Sequence, residues 1–156
     1  MIDSSAYIDA LAEAKSPTCD DARVIFLLEQ AHNEGDDRAT YALAQCSRYG
    51  SFGYPIDPQK AHDLTKNLEN SSIAEAIFNL ARDYDLGHCV RANPKKAFAL
   101  YISAALLGDA ESCMQVAQYF NRGEIVPINK TIAKAWKDRS KCDEKLISPP
   151  YRLWLD

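Results

Sequence analysis

Ala61, Ala97 and Ala133 stand 36 residues apart, and three positions after each come Leu64, Leu100 and Trp136. A second set keeps nearly the same beat. Ala44, Ala81 and Ala117, preceded by Leu43, Leu80 and Val116 and followed by Gly50, Gly87 and Gly123, recur at 37 and then 36 residues. The odd residue falls in the loop "GSFGYPID", and Asp57, Asn93 and Asn129 hold one common place just before the second half of each unit. Self-similarity at this period marks a chain made of one supersecondary unit, which buries its apolar face only by stacking on its neighbours.

Inside each unit the spacing is helical. Ala39, Leu43, Ala44 and Ser47, or Ala76, Leu80, Ala81 and Tyr84, recur at three and four residues, and each stretch closes on a glycine suited to a helix C-terminus. Asp57 or Asn93 then offers an N-cap, with Pro58 or Pro94 at the first helical position. The pattern predicts a leading helix near 3–15, an orphan second helix near 19–34, and pairs at 37–49 with 58–70, 73–86 with 94–107, and 109–122 with 130–141. Ala97, Ala104, Ala105, Ala110 and Ala117 are read as small residues at crossing seams, where two backbones come close. Residues 143–156 form a tail whose apolar set (Leu146, Ile147, Tyr151, Leu153, Trp154, Leu155) is expected to fold back as a cap.

With 156 residues, 47% of them hydrophobic and 26% charged, the chain suits one globular domain. No run reaches the ~18 apolar residues a membrane helix needs, and "MIDSSAYIDA" does not read as a signal peptide, so a cytoplasmic location is expected. Five cysteines without a CxxC spacing point to thiols, with neither disulfides nor structural zinc. Residues 1–40 carry nine acidic and three basic side chains against 13 acidic and 15 basic in the rest, so the N-terminal end is expected to present an acidic patch around Asp20, Asp21, Asp36 and Asp37. Such a surface repels nucleic acid and anionic lipid and attracts basic proteins.

No catalytic set emerges. His32, His62 and His88 fall in separate units with no partner at metal spacing and are read as surface or loop residues. His88 and Cys89 are adjacent, whereas a nucleophile and its base must converge. Asp20-Asp21 and Asp36-Asp37 fit helix capping, and the glycines serve helix ends rather than a phosphate loop. Neither metal nor cofactor is expected.

The stretch "AIFNLARDYDLGHCVRANPKKAFALYISAALLGDAE" has Ala76, Leu80, Ala81, Tyr84, Gly87, Val90, Asn93, Lys96, Ala97, Tyr101, Ala104, Ala105 and Gly108 in a pattern that resembles the Sel-one-like repeat family, relatives of the tetratricopeptide repeats. The resemblance covers about residues 19–142. The first unit departs from it with Ser47 in place of the first-helix aromatic, and the third loses the closing "AAxxG". It implies an all-α fold: a right-handed αα superhelix (solenoid) with N-terminal helices 1–36, repeats 37–72, 73–108 and 109–142, and the capping tail. It also implies a concave groove that binds protein segments through exposed first-helix positions. These are Arg38, Tyr41, Gln45, Arg48 and Tyr49; Phe78, Arg82, Asp85 and Leu86; and Met114, Gln118, Asn121 and Arg122. Tyr41, Phe78 and Met114 are equivalent and would form an apolar stripe.

A short acidic solenoid without chemistry of its own resembles the immunity proteins of this family, which neutralise delivered bacterial toxins. The expected partner is then another protein, such as a basic toxin domain, bound by a monomer. The alternative is an adaptor in a larger assembly. An enzyme-class rival, related to penicillin or peptidoglycan binding, is implied only for relatives with paired cysteines and an export signal, neither of which is found in this sequence.

Overall fold

The computed structural model describes residues 4–141, which fold into helices and turns with no strand among them. The expected capping tail and Cys142 lie outside the described residues. Eight α-helices follow in chain order: α1 Ser5–Ala14, α2 Asp21–Asn33, α3 Asp37–Tyr49, α4 Pro58–Lys66, α5 Ala74–Leu86, α6 Pro94–Leu106, α7 Ala110–Arg122 and α8 Lys130–Arg139.

Seven of them start on a residue whose side chain caps the first turn. Ser4, Asp20, Asp36, Asp57, Asn93, Asp109 and Asn129 each accept a hydrogen bond from a backbone N–H of the turn they precede, satisfying donors that have no partner inside the helix. Gly50, Gly87 and Gly123 end α3, α5 and α7 with φ of 73°, 74° and 74°, a left-handed conformation that side chains with a Cβ adopt at a cost.

The chain then returns by one repeated bond. Asp57 N–H donates to Ser47 O at 2.8 Å, Asn93 to Tyr84 O at 2.8 Å and Asn129 to Phe120 O at 3.0 Å. The first of these turns is longer by one residue. The excess is taken up in a single 3₁₀ turn, Ser51–Gly53, where Phe52 has φ 55°.

The described residues fall into two compact units, 4–68 and 69–141. In the first, α1 packs on α2, α2 on α3 and α3 on α4; in the second, α5 packs on α6, α6 on α7 and α7 on α8. Within each unit every helix thus leans on its sequence neighbours, as stacked repeats require. The first core joins Tyr7 and Ala10 of α1 to Val24, Leu28 and Ala31 of α2 and to Ala39, Leu43 and Cys46 of α3. The second joins Ile77, Leu80 and Ala81 of α5 to Ala97, Leu100, Ala104 and Ala105 of α6 and to Cys113 and Val116 of α7. Ala81, Ala97, Ala104 and Ala105 are fully buried, which is where seam alanines belong.

Two expectations need correction. The second helix is not an orphan, because α1 supplies it with a partner that buries Ala6, Tyr7 and Ala10. The helix read as 58–70 stops at Lys66, since "NLENSS" offers side chains that compete for the backbone and little apolar face to hold a further turn.

Candidate protein-binding surface

On α3, in the first unit, only Tyr49 stands well out of the protein, at 64% exposure. Tyr41, expected in an exposed stripe, is 1% exposed, and Gln45 is buried one turn later with its amide nitrogen donating to the Tyr41 hydroxyl. The large aromatic ring has sunk into the protein, which removes far more apolar area from water than a groove position would. Arg38 and Arg48 are half-buried.

Arg38 is committed within the fold. Its Nε and Nη2 donate to Asp36 Oδ1 and Oδ2 at 3.0 and 2.6 Å, and its guanidinium lies 4.5 Å above the Tyr7 ring. Asp36 also accepts from Ser4 N–H and Arg38 N–H, at 3.0 and 2.9 Å. Burial pushes the Asp36 carboxyl upward, but these hydrogen bonds outweigh it and hold it below the usual range. Asp36 is therefore no part of an acidic surface: it is fully buried, while Asp20 and Asp21 are exposed and Asp37 half-buried.

In the second unit the structure gathers Phe78, Arg82 and Asp85 with two residues the sequence reading left in the background, Tyr101 of α6 and Tyr119 of α7. Phe78 is 8% exposed, its ring centroid 5.8 Å from that of Tyr101, with the Arg82 guanidinium 5.8 Å from the centroid of the Phe78 ring. The stripe is corrected here too, because Tyr101 draws Phe78 inward. Tyr119 donates to Asp85 Oδ1 at 2.8 Å and Tyr101 to Asp85 Oδ2 at 3.3 Å. Burial first, and the Asp85 carboxylate after it, push both phenols well above their ordinary range. Both hydroxyls therefore stay protonated donors. Met114 keeps 38% exposure, Gln118 is half-buried and accepts from Arg122 at 3.0 Å, and Asn121, Arg122 and Leu86 are exposed.

The remaining chemistry-bearing side chains are scattered. His62 is buried within α4, against the expectation of a surface position, because it falls on the helix face that carries Ala61 and Thr65. His32 Nδ1 lies 2.7 Å from Thr40 Oγ1, and His88 is exposed. Cys19, Cys46, Cys89 and Cys113 are present as thiols. Among the described residues no group of three or more His, Cys, Asp or Glu is placed to hold a metal, and no helix is long and apolar enough to cross a membrane.

Compared with known proteins, residues 37–66, 74–109 and 110–136 match the model of the Sel1 repeat. The chain is 31% identical over 121 residues to Chitin synthase regulator SKT5 of Saccharomyces cerevisiae, a match covering 72% of this chain and 17% of that protein. The chain thus spans only that small share of the curated relative it matches. Two solved structures share the fold. A Sel1 repeat protein from Oxalobacter formigenes superposes with a TM-score of 0.67 at 22% identity, over 83% of this chain and 92% of its own. The protective antigen c5321 of uropathogenic Escherichia coli, described as displaying an SLR fold, gives 0.76 at 21% identity, over 86% of this chain and 29% of its own.

Proposed function

Since the chain belongs to the Sel1 repeat family, whose members are in general non-catalytic modules for protein–protein interaction, we propose that this protein works by docking onto another protein and changing what that protein can do. The observation that carries the reading is the match of three consecutive repeats to the family, each with a polar residue near the C-terminal end of its first helix: Arg48, Asp85 and Asn121. Its most specific form is neutralisation of a basic toxin domain, as an immunity protein does. Exposed Asp9, Asp20, Asp21 and Glu29 on the first unit support that form, since surface carboxylates attract a basic partner.

A second form is a regulatory adaptor, favoured by the similarity to a protein named as a chitin synthase regulator. Affinity purification of the full chain from its native host tests both. One stoichiometric partner carrying a basic domain whose activity is abolished in the complex supports neutralisation. A partner that stays active, or is activated, supports the adaptor. Recovery of the chain alone at physiological salt overturns the docking reading.

A further inference from the structure

Asp85 is a carboxylate held by two phenols. It is half-buried near the C-terminal end of α5, with one oxygen facing Tyr119 and the other Tyr101. Among the described residues no cation stands within ion-pair distance of it. Arg82, three residues earlier on the same helix, is at a spacing that favours pairing, yet it lies over the Phe78 ring instead. Phenol hydroxyls orient a carboxylate and stabilise it, but they do not neutralise it. A charge held this way in an aromatic surround, partly stripped of water, interacts with an incoming opposite charge more strongly than a free surface carboxylate does.

The repeat itself shows that packing does not demand this arrangement. The residue equivalent to Asp85 is Arg48 in the first repeat and Asn121 in the third, while the residues equivalent to Tyr101 are Thr65 and Lys137, and those equivalent to Tyr119 are Cys46 and Asp83. Seam alanines and turn glycines recur from unit to unit, whereas these three positions change size and charge. Among the described residues the trio exists at one place, where three helices α5, α6 and α7 supply one member each.

We propose that Asp85, fixed by Tyr101 and Tyr119, is the anchor for a cationic side chain, lysine or arginine, on the protein that docks to this surface. The inference rests on the docking reading above and adds the chemistry that reading lacks. Tyr101 and Tyr119 act as positioning residues: they leave one orientation for the carboxylate, so that a guanidinium or ammonium meets a preset acceptor.

The full chain labelled with nitrogen-15 can be titrated with N-acetyl-arginine amide, which carries one positive charge, and with the uncharged N-acetyl-norleucine amide. Saturable shifts at the amides around Asp85 and in the Tyr101 and Tyr119 rings are expected with the arginine probe and absent with norleucine. Asp85→Asn, which keeps size and can still accept from a tyrosine, should weaken the arginine probe by about tenfold or more. Tyr119→Phe, which leaves the charge intact, should weaken it several-fold, with circular dichroism confirming an unchanged helix content in both. Shifts that fail to saturate, that persist in Asp85→Asn, or that gather at Asp20 and Asp21 instead overturn the proposal. A native partner captured equally well by wild type and by Asp85→Asn overturns it too while leaving the docking reading in place. Arginine binding at Asp85 in a chain that captures no partner sinks the docking reading and leaves the cation site standing.

Discussion

A carboxylate buried without a partner is costly, so a residue such as Asp36 is stable only while its donors are all in place. Four hydrogen bonds from Ser4 and Arg38 surround it, and they tie the first residue of the described chain to the start of α3. Asp36→Ala should therefore cost about 3 to 5 kcal/mol in urea unfolding, because the Arg38 charge is left half-buried without its mate. Asp20→Ala removes only an exposed cap and should cost about 1 kcal/mol. The lowered folded-state pKa of Asp36 sets the sign with pH: its contribution is complete above the ordinary aspartate range and is lost as pH falls through the folded value. Wild type should then lose more stability on acidification than Asp36→Asn does. At the other extreme, burial holds the Tyr7 phenol at about 12, with Arg38 opposing the rise and Asp36 adding to it, and Tyr101 and Tyr119 are raised as well. These phenols stabilise the fold fully below their unfolded pKa of about 10, and the contribution fades as pH climbs beyond it. Melting temperature should fall steeply between about pH 10 and 12, and Tyr7→Phe should shallow that fall. An equal slope in the variant would mean that Tyr7 is ionised without opening the first core.

Among the elements, the pairs of helices were legible because their signals are local. Caps at Asp57, Asn93 and Asn129, prolines at the first helical position, and glycines at the turn each act within a few residues, and the structure places all of them as read. The pairing of α1 was not legible. Its cap Ser4 lies 32 residues before Asp36, off the 36-residue beat, and the link from α1 to α2, residues 15–20, contains no glycine to mark the turn. The expected surface was legible only in part, because exposure depends on what stands behind a residue in another helix. Phe78 has Tyr101 behind it and goes in; the corresponding second-helix residue for Met114 is Lys137, and Met114 stays partly out. The Asp85 trio escaped for the same reason, being drawn from three helices that no short spacing connects. Seam packing gives the sharpest test at this scale. Ala97→Leu and Ala81→Leu, both at fully buried sites, should each lower stability by about 1 to 3 kcal/mol, while Lys66→Ala on the exposed side of α4 should stay within about 0.5 kcal/mol. Equal unfolding midpoints for all three would contradict the seam assignment.

At the scale of the whole molecule, the uneven charge belongs to the rate of encounter more than to the hold. Asp9, Asp20, Asp21 and Glu29 are exposed on the first unit, where water and salt screen them, so they act on a partner before contact rather than after it. Reversing Asp20 and Asp21 to Lys should slow association with a basic partner several-fold at low salt and much less at high salt, with dissociation nearly unchanged. A change confined to the dissociation rate would place those residues inside the contact instead. The turn after α3 offers a further handle. It accommodates one more residue than its two counterparts and still brings Asp57 back to the carbonyl of Ser47, and a Cβ at exposed Gly53 would meet nothing within 4 Å. Length at that point is thus uncoupled from register, which makes it a natural splice site. A short epitope or a dye-bearing cysteine inserted between Phe52 and Gly53 should leave melting within a few degrees of wild type, giving an optical reporter on the first unit.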